Sequence, residues 1–170
     1  GEIAQATARF GYSVGTAGDV NGDGFSDVII GALLYDNGEF DEGGVFVYHG
    51  SSSGLAATAS WTGENDQAGG QFGWSVGTAG DVNGDSYLDV IVGSKYYQNG
   101  EIEEGGAFVY HGSPSGLAAT AAWSVESDQA SAELGASVGT AGDVNGDGFS
   151  DVIVGAPYFD NGEADEGRAF

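Results

Sequence analysis

The chain has 170 residues, with 26 acidic and only 3 basic side chains and a formal net charge of −23. Cysteine is absent, which excludes disulfide bonds and thiolate metal sites. Hydrophobic residues make up 41% of the chain, enough to bury a core. So few cations cannot neutralise a row of phosphates, and no apolar run is long enough to cross a bilayer. We therefore expect no nucleic-acid partner and no membrane insertion.

A repeat of 62 residues organises the chain. The segment GTAGDVNGDGFSDVIIG at 15–31 recurs with few changes at 77–93 and 139–155. Because the third copy stops at residue 170, the chain holds about 2.7 units. The predicted units are 1–62 with an N-terminal link, 63–124, and an incomplete 125–170 that lacks its outer strands.

Four strands are predicted in each unit, in chain order. The first, 12–18, is built of small residues, and the second, 27–35, contains the β-branched run Val28 to Ile30. The third, 44–49, alternates as VFVYH, and a fourth is predicted around 57–62. No segment has capped helical spacing, so the chain is predicted to be all-β.

Four-stranded antiparallel units at a fixed period favour a β-propeller, in which each unit is one blade. The small residues of 12–18 suit a strand beside a crowded central axis. The large side chains lie in the outer strands, and we expect Trp61 and Trp123 to pack between blades.

The loop after the first strand of each unit carries oxygen ligands at positions 1, 3, 5 and 9 of a nonapeptide, with a backbone carbonyl at position 7. Oxygen ligands alone select calcium over zinc or copper, and magnesium fits less well because it keeps a tight octahedron with several waters. The sequence predicts one Ca²⁺ per blade and three per chain. The predicted ligands are Asp19, Asn21, Asp23, Phe25, Asp27, Asp81, Asn83, Asp85, Tyr87, Asp89, Asp143, Asn145, Asp147, Phe149 and Asp151.

Two alternatives to this calcium loop fit the residues less well. An EF-hand requires glutamate at position 12, where this chain has Ile30, Val92 and Val154. An Asx-rich turn that binds nothing would leave three carboxylates repelling one another in a tight loop. Ser86 replaces a loop glycine in the second copy, so we expect a different backbone angle and weaker binding there.

These motifs resemble the FG-GAP repeat, the unit of the integrin α-subunit propeller and of many bacterial extracellular proteins. Phe10-Gly11, the nonapeptide and Gly155-Ala156-Pro157 stand in the order of that family. The resemblance implies a seven-bladed propeller, calcium between the first two strands of certain blades, and ligand recognition on the opposite face. Leu134 departs from the Phe-Gly pattern, and the chain supplies fewer than three of seven blades.

The face opposite the calcium loops is predicted to carry the acidic loops at 36–42, 98–104 and 160–166 and the links between blades. We expect these loops to be solvated hairpin tips without metal. Trp74, Tyr96 and Tyr97 are either packing residues or a stacking platform for a sugar or a protein.

The predicted function is that of a calcium-binding, non-catalytic recognition or adhesion module outside the cell, in which calcium stabilises the blades. The alternative is a carbohydrate-binding lectin, and a hydrolase is less favoured because His49 and His111 follow the third strand without a nearby serine and carboxylate. Partners would be a protein or carbohydrate ligand, and either further blades or other copies of the chain to close the ring.

Overall fold

The structure, a computed structural model, describes residues 4–170. Within them the chain forms eleven β-strands and no helix, which confirms the all-β prediction. The strands are β1 (Phe10–Gly18), β2 (Asp27–Ala32), β3 (Gly44–Tyr48), β4 (Trp61–Gly63), β5 (Phe72–Gly80), β6 (Asp89–Ser94), β7 (Gly106–Tyr110), β8 (Trp123–Glu126), β9 (Ser137–Gly142), β10 (Asp151–Ala156) and β11 (Arg168–Ala169).

The strands form three antiparallel sheets in which sequence neighbours pair. The first two sheets have the orders β1-β2-β3-β4 and β5-β6-β7-β8, and the third contains β9, β10 and the two-residue β11. The register repeats with the sequence: Val28 pairs with Thr16 and Tyr48, as Val90 pairs with Thr78 and Tyr110. How the links at 64–71 and 127–136 divide between units stays a prediction.

Several strand boundaries differ from the predicted ones: β1 begins two residues early, at Phe10, and β4 ends at Gly63. β2 ends at Ala32 because the Tyr35 N–H turns back to the Ala32 carbonyl, 3.0 Å away. β3 ends at Tyr48, one residue early. β4 begins only at Trp61, because the chain before it is occupied by turns such as that closed by the Gly54 N–H on the Ser51 carbonyl.

Adjacent sheets pack face to face through buried apolar clusters. Ile29 and Val47 of the first sheet, with Val20 of the loop after β1, share one cluster with Phe72 and Val90 of the second sheet. The backbones also come very close, since a Cβ on Gly31 would lie 2.1 Å from the Gly73 carbonyl oxygen. These positions therefore require glycine, and the tight stacking of sheets places the loops at each end side by side.

The two outer tryptophans differ in burial. Trp61 lies between sheets, as predicted: its ring centroid is 5.0 Å from that of Tyr110, and its Nε1–H donates to the Ala118 carbonyl at 3.0 Å. The prediction for Trp123 is wrong, because that side chain is 44% exposed. Within the described residues, Trp123 has no aromatic partner of the kind that Tyr110 provides for Trp61.

Loops alternate between the two rims of the sheets, as antiparallel hairpins require. One rim carries the hairpins after β1, β5 and β9, which contain the three nonapeptides. The other rim carries the loops after β2, β6 and β10 and the links between sheets. None of the described residues forms a helix that could span a membrane.

Candidate metal loops and the opposite face

The first nonapeptide loop is folded around its own side-chain oxygens. Asp19 accepts hydrogen bonds from the Asp23 N–H at 3.0 Å and the Gly24 N–H at 2.8 Å. Asn21 Oδ1 also accepts from the Asp23 N–H, and Asp23 Oδ1 accepts from the Phe25 N–H at 2.9 Å. Backbone donors thus turn the oxygens of positions 1, 3 and 5 toward the inside of the loop.

The other two loops repeat this arrangement. Asp81 accepts from the Ser86 N–H at 2.9 Å, and Asp143 accepts from the Gly148 N–H at 2.9 Å. That Gly148 bond is the main cause that lowers the pKa of the Asp143 carboxyl. The expected change of backbone angle at Ser86 is wrong: its φ of 73° stays in the left-handed region occupied by Gly24 and Gly148.

The aspartate at position 9 joins the loop to the end of the third strand. Asp27 accepts from the Val20 N–H at 3.0 Å and from the Gly50 N–H at 2.8 Å, and it is fully buried. Asp89 has the same two kinds of partner, and its burial raises the pKa of the carboxyl while the Gly112 N–H opposes that shift. Position 9 therefore has a structural role of its own, which the spacing of ligands did not indicate.

Neighbouring loops touch along the rim. A Cβ on Gly22 would lie 2.5 Å from Cε1 of Tyr87, and a Cβ on Gly84 would lie 2.6 Å from Cε1 of Phe149. The position-7 rings of the second and third loops thus cover the glycine of the loop before them. The Leu88 N–H adds a bond of 3.1 Å to the Asp19 carbonyl, so the loops form one connected row.

Sequence reasoning missed a histidine beside the first loop. His49 Nδ1 lies 3.3 Å from Asn21 Nδ2, and His49 Nε2 is buried without a hydrogen-bond partner. The Tyr-His-Gly segments at 48–50 and 110–112, at the ends of β3 and β7, are the only sequence signal of this contact. The His49 ring therefore contacts the side-chain amide of Asn21, which is one of the predicted calcium ligands.

The loops suit a hard cation by their donor set, which consists of oxygen atoms alone. In the described part of the chain, no group of three or more His, Cys, Asp or Glu side chains is placed to hold a metal ion. An ion in these loops would therefore also need the asparagine at position 3 and the carbonyl at position 7. Such mixed carboxylate, amide and carbonyl sets are ordinary for calcium.

On the opposite rim, part of the first and of the second acidic loop is not solvated, whereas the loop at 160–166 is exposed. Glu42 and Glu104 are fully buried, which corrects the expectation that these loops are exposed hairpin tips. Glu42 Oε1 accepts from the Asn37 N–H inside its own loop, and Asn37 Nδ2 donates to Glu64. Burial, with Glu64 and Asp66 nearby, raises the pKa of the Glu42 carboxyl, although the N–H groups of Asn37 and Glu39 oppose the shift.

An aromatic patch occupies the inner part of that rim. The Trp74 ring lies 5.2 Å from Tyr12 and 5.9 Å from Tyr96, measured between centroids. Lys95 Nζ sits 4.3 Å from the Trp74 centroid and 3.0 Å from Glu133. Tyr97 is a packing residue, the first of the two alternatives, because its ring packs on Phe108 with the centroids 5.2 Å apart.

This chain shares three features with a known repeat: its antiparallel sheets, its row of glycine-rich loops and its period of 62 residues. The model of the FG-GAP repeat family matches residues 10–48, 72–107 and 134–170. The chain belongs to the FG-GAP repeat family. Its sheets are therefore β-propeller blades, and the resemblance seen in the sequence is confirmed, including the copy in which Leu134 replaces phenylalanine.

Curated relatives of this FG-GAP repeat chain are integrin α-subunits. It is 36% identical to integrin alpha-PS2 of Drosophila melanogaster over 162 residues, covering 86% of this chain and 11% of the relative. It is 32% identical to integrin alpha-5 of Xenopus laevis, covering 89% of this chain and 15% of the relative. The chain thus spans only between a tenth and a sixth of these proteins.

Proposed function

We propose that this chain is a calcium-binding, non-catalytic recognition module of integrin-like propeller type that acts outside the cell. The observation that carries the proposal is the threefold loop, in which backbone N–H groups orient Asp19, Asn21 and Asp23 and their counterparts toward a common interior. The similarity to integrin α-subunits supports a role in recognition and a place at the cell surface.

In the proposed site, the side chains of positions 1, 3, 5 and 9 and the carbonyl of position 7 hold one calcium ion per loop. The ion would offset the mutual repulsion of the carboxylates, and the N–H bonds of Asp27 would keep position 9 fixed while its remaining lone pairs face the ion. Extracellular calcium modules bind at ~10⁻⁴ to 10⁻³ M, so calcium at about 1 mM would stabilise the fold by roughly 0.4 to 1.4 kcal/mol per site.

The ligand surface of the proposed module is the rim opposite the calcium loops, and a protein ligand suits it better than a sugar. A sugar-binding platform needs a bare aromatic face, whereas Tyr12 and Lys95 already pack on Trp74. To close the propeller, this module would associate with further blades or with other copies of the chain.

Native mass spectrometry of the purified chain, with calcium and after chelation, tests the calcium assignment. We expect three ions per chain, and none in a triple variant Asp23→Asn, Asp85→Asn, Asp147→Asn. The matched control is Asp36→Asn with Asp160→Asn, which removes exposed carboxylates of the opposite rim and should leave three ions bound. A wild-type chain that binds no calcium in this measurement would contradict the calcium assignment.

A further inference from the structure

Three pairs of aromatic rings stand at equivalent places in the three blades. Their centroids lie 5.2 to 5.5 Å apart, and their planes are close to perpendicular. The pairs are Tyr35 with Phe46, Tyr97 with Phe108 and Phe159 with Phe170. The chain therefore builds the same edge-to-face arrangement in each blade.

In the third blade, the ring pair holds a cation of the chain itself. The guanidinium carbon of Arg168 lies 4.6 Å from the Phe170 centroid and 5.3 Å from that of Phe159. At these distances the face of an aromatic ring attracts a cation. Arg168 aligns with Gly106 of the second blade. The second blade therefore has the rings but not the guanidinium that covers them in the third.

Gly106 lies against its ring pair. A Cβ added there would come 3.0 Å from Cδ1 of Tyr97 and 3.1 Å from Cε2 of Phe108. The residue belongs to strand β7, so its extended backbone does not require glycine. The absence of a side chain leaves space beside the rings.

A cavity of about 120 Å³ lies beside these rings. We call it the Tyr97 cavity, and its lining consists of Tyr97, Asn99, Phe108, Ser124, Val125 and Glu126. Glu126 is the cross-strand partner of Gly106, so its side chain belongs to the face of the sheet that carries Phe108. The cavity has the volume of roughly four water molecules, which suits a planar group as small as guanidinium.

Asn99 brings two carboxylates together at the Tyr97 cavity. Its N–H donates to Glu104 Oε1, and its Nδ2 donates to Glu126 Oε1 at 2.9 Å. Glu104 is fully buried, and its Oε2 has no hydrogen-bond partner among the described residues. Such an oxygen is costly to bury unless a donor or a counter-charge reaches it.

The surroundings of Tyr97 are negatively charged. Burial raises the pKa of its hydroxyl, and the Glu126 and Glu104 carboxylates raise it further. None of the six lining residues is basic. Elsewhere the chain places its own cations on rings, since Lys95 Nζ lies 4.3 Å from the Trp74 centroid. The Tyr97 cavity combines rings and carboxylates without such a cation, so a cation from outside fits it.

We propose that the Tyr97 cavity binds a guanidinium group from outside the chain, either a small free guanidine or an arginine side chain of another molecule. The planar group would stack on the rings of Tyr97 and Phe108 and donate to Glu126, while Glu104 adds a second negative charge. The inference goes beyond the proposed function, because it requires neither calcium in the loops nor the aromatic patch around Trp74.

Placing the cation on the chain itself is the first test. Gly106→Arg copies Arg168 into the second blade, and Gly106→Gln crowds the rings equally with a neutral side chain. In urea unfolding, we expect an unfolding equilibrium constant roughly tenfold smaller for Gly106→Arg than for Gly106→Gln. In a Glu126→Gln background this difference should shrink, because the guanidinium loses its charged acceptor.

A charge control is needed because any added cation reduces repulsion in a chain of net charge −23. Ile102→Arg against Ile102→Gln provides it, since Ile102 is 65% exposed and does not line the cavity. A difference at position 102 as large as that at position 106 would overturn the inference. A Gly106→Arg chain no more stable than Gly106→Gln would do the same.

Binding from solution is measured on the full chain with methylguanidinium as the probe. Nuclear magnetic resonance follows the backbone amides of Asn99 and Gly106, which belong to the second blade. We expect saturable shifts with a Kd of roughly 0.1 to 10 mM for so small a ligand, and a Kd about tenfold higher in Glu126→Gln. Methylurea, the neutral analogue, should shift neither amide. Gly106→Arg should not respond, because its own guanidinium fills the cavity.

A second probe distinguishes the two sources of the guanidinium. Acetyl-arginine methylamide binds as tightly as methylguanidinium if the occupant is an arginine side chain, whereas binding of methylguanidinium alone identifies a small free guanidine. A wild type that responds to neither probe would overturn the inference, as would equal shifts from methylurea. If crowding at position 106 prevents both variants from folding, the titrations of the wild type and of Glu126→Gln decide between these outcomes.

Discussion

The ring of Tyr87 lies directly over Gly22 of the preceding loop, where a Cβ would come within 2.5 Å of its Cε1 atom. The contact joins two candidate metal loops that are 62 residues apart and that also share a backbone hydrogen bond, from the Leu88 N–H to the Asp19 carbonyl. It makes the loop of one blade a support for the loop of the next. Position 22 requires glycine for two reasons: there is no room for a Cβ beneath the Tyr87 ring, and its φ of 72° lies in the left-handed region.

Gly22→Ala should therefore destabilise the chain more than the same change in the third loop. Gly146 has a similar φ of 77°, but no atom lies within 4 Å of the place that an alanine methyl would take, so Gly146→Ala reports the backbone strain alone. We expect the difference in unfolding free energy to be about 1–3 kcal/mol, from the overpacking against Tyr87. Urea unfolding of both variants in calcium measures it, and equal losses would contradict the contact.

Ser86→Gly should stabilise the second blade. Ser86 holds a φ of 73° with a side chain that disfavours it, and glycine adopts this angle without the steric cost. We expect a gain of about 0.5–1 kcal/mol in the free energy of unfolding. Ser86→Ala removes the hydroxyl and keeps the Cβ, so it is the control and should show no gain. If both variants gain equally, the hydroxyl and not the backbone angle is responsible.

The fold could be predicted from the sequence because period and strand pattern agree locally, as in the β-branched run of β2. What failed depends on neighbours that the local sequence does not encode. Glu42, Glu104 and Glu166 stand in closely similar segments, yet only the first two are buried, since links from the following blade pack over them. Trp123 is exposed although its segment closely resembles that of Trp61, because burial depends on the neighbouring sheet and not on the local sequence.

The row of loops was predictable in composition but not in its internal bonding. The nonapeptide spacing indicates which oxygens are available, and the structure brings positions 1, 3 and 5 together through backbone N–H groups. The spacing does not reveal that the Asp27 carboxylate also accepts a hydrogen bond from the Gly50 N–H, just after the third strand. That bond spans 23 residues, so only the folded sheet brings its partners together.

Removal of the two outer tryptophans should have unequal effects. Trp61→Ala deletes a ring packed on Tyr110 and an Nε1–H bond to a carbonyl, and we expect a loss of about 2–4 kcal/mol. Trp123→Ala deletes a ring that is 44% exposed, and we expect a loss of about 1 kcal/mol or less. Denaturant unfolding followed by circular dichroism compares them, and a larger loss at Trp123 would contradict the blade packing described here.

Glu42→Gln should make the stability of the chain less dependent on pH. Burial raises the pKa of the Glu42 carboxyl in the folded state. A raised folded pKa means that the folded state binds the proton more tightly, so this group favours folding at acidic pH and the advantage disappears as pH rises through the folded pKa.

The amide of glutamine keeps the acceptor for the Asn37 N–H without a charge to bury. We therefore expect Glu42→Gln to raise the melting temperature at pH 7 and to change it little near pH 4, by differential scanning calorimetry. The control is Glu166→Gln, at the exposed counterpart, which should leave the dependence of the melting temperature on pH as it is in the wild type. If Glu42→Gln instead lowers the melting temperature more at pH 7 than at pH 4, each compared with the wild type at the same pH, the charged carboxylate is the form that the fold requires.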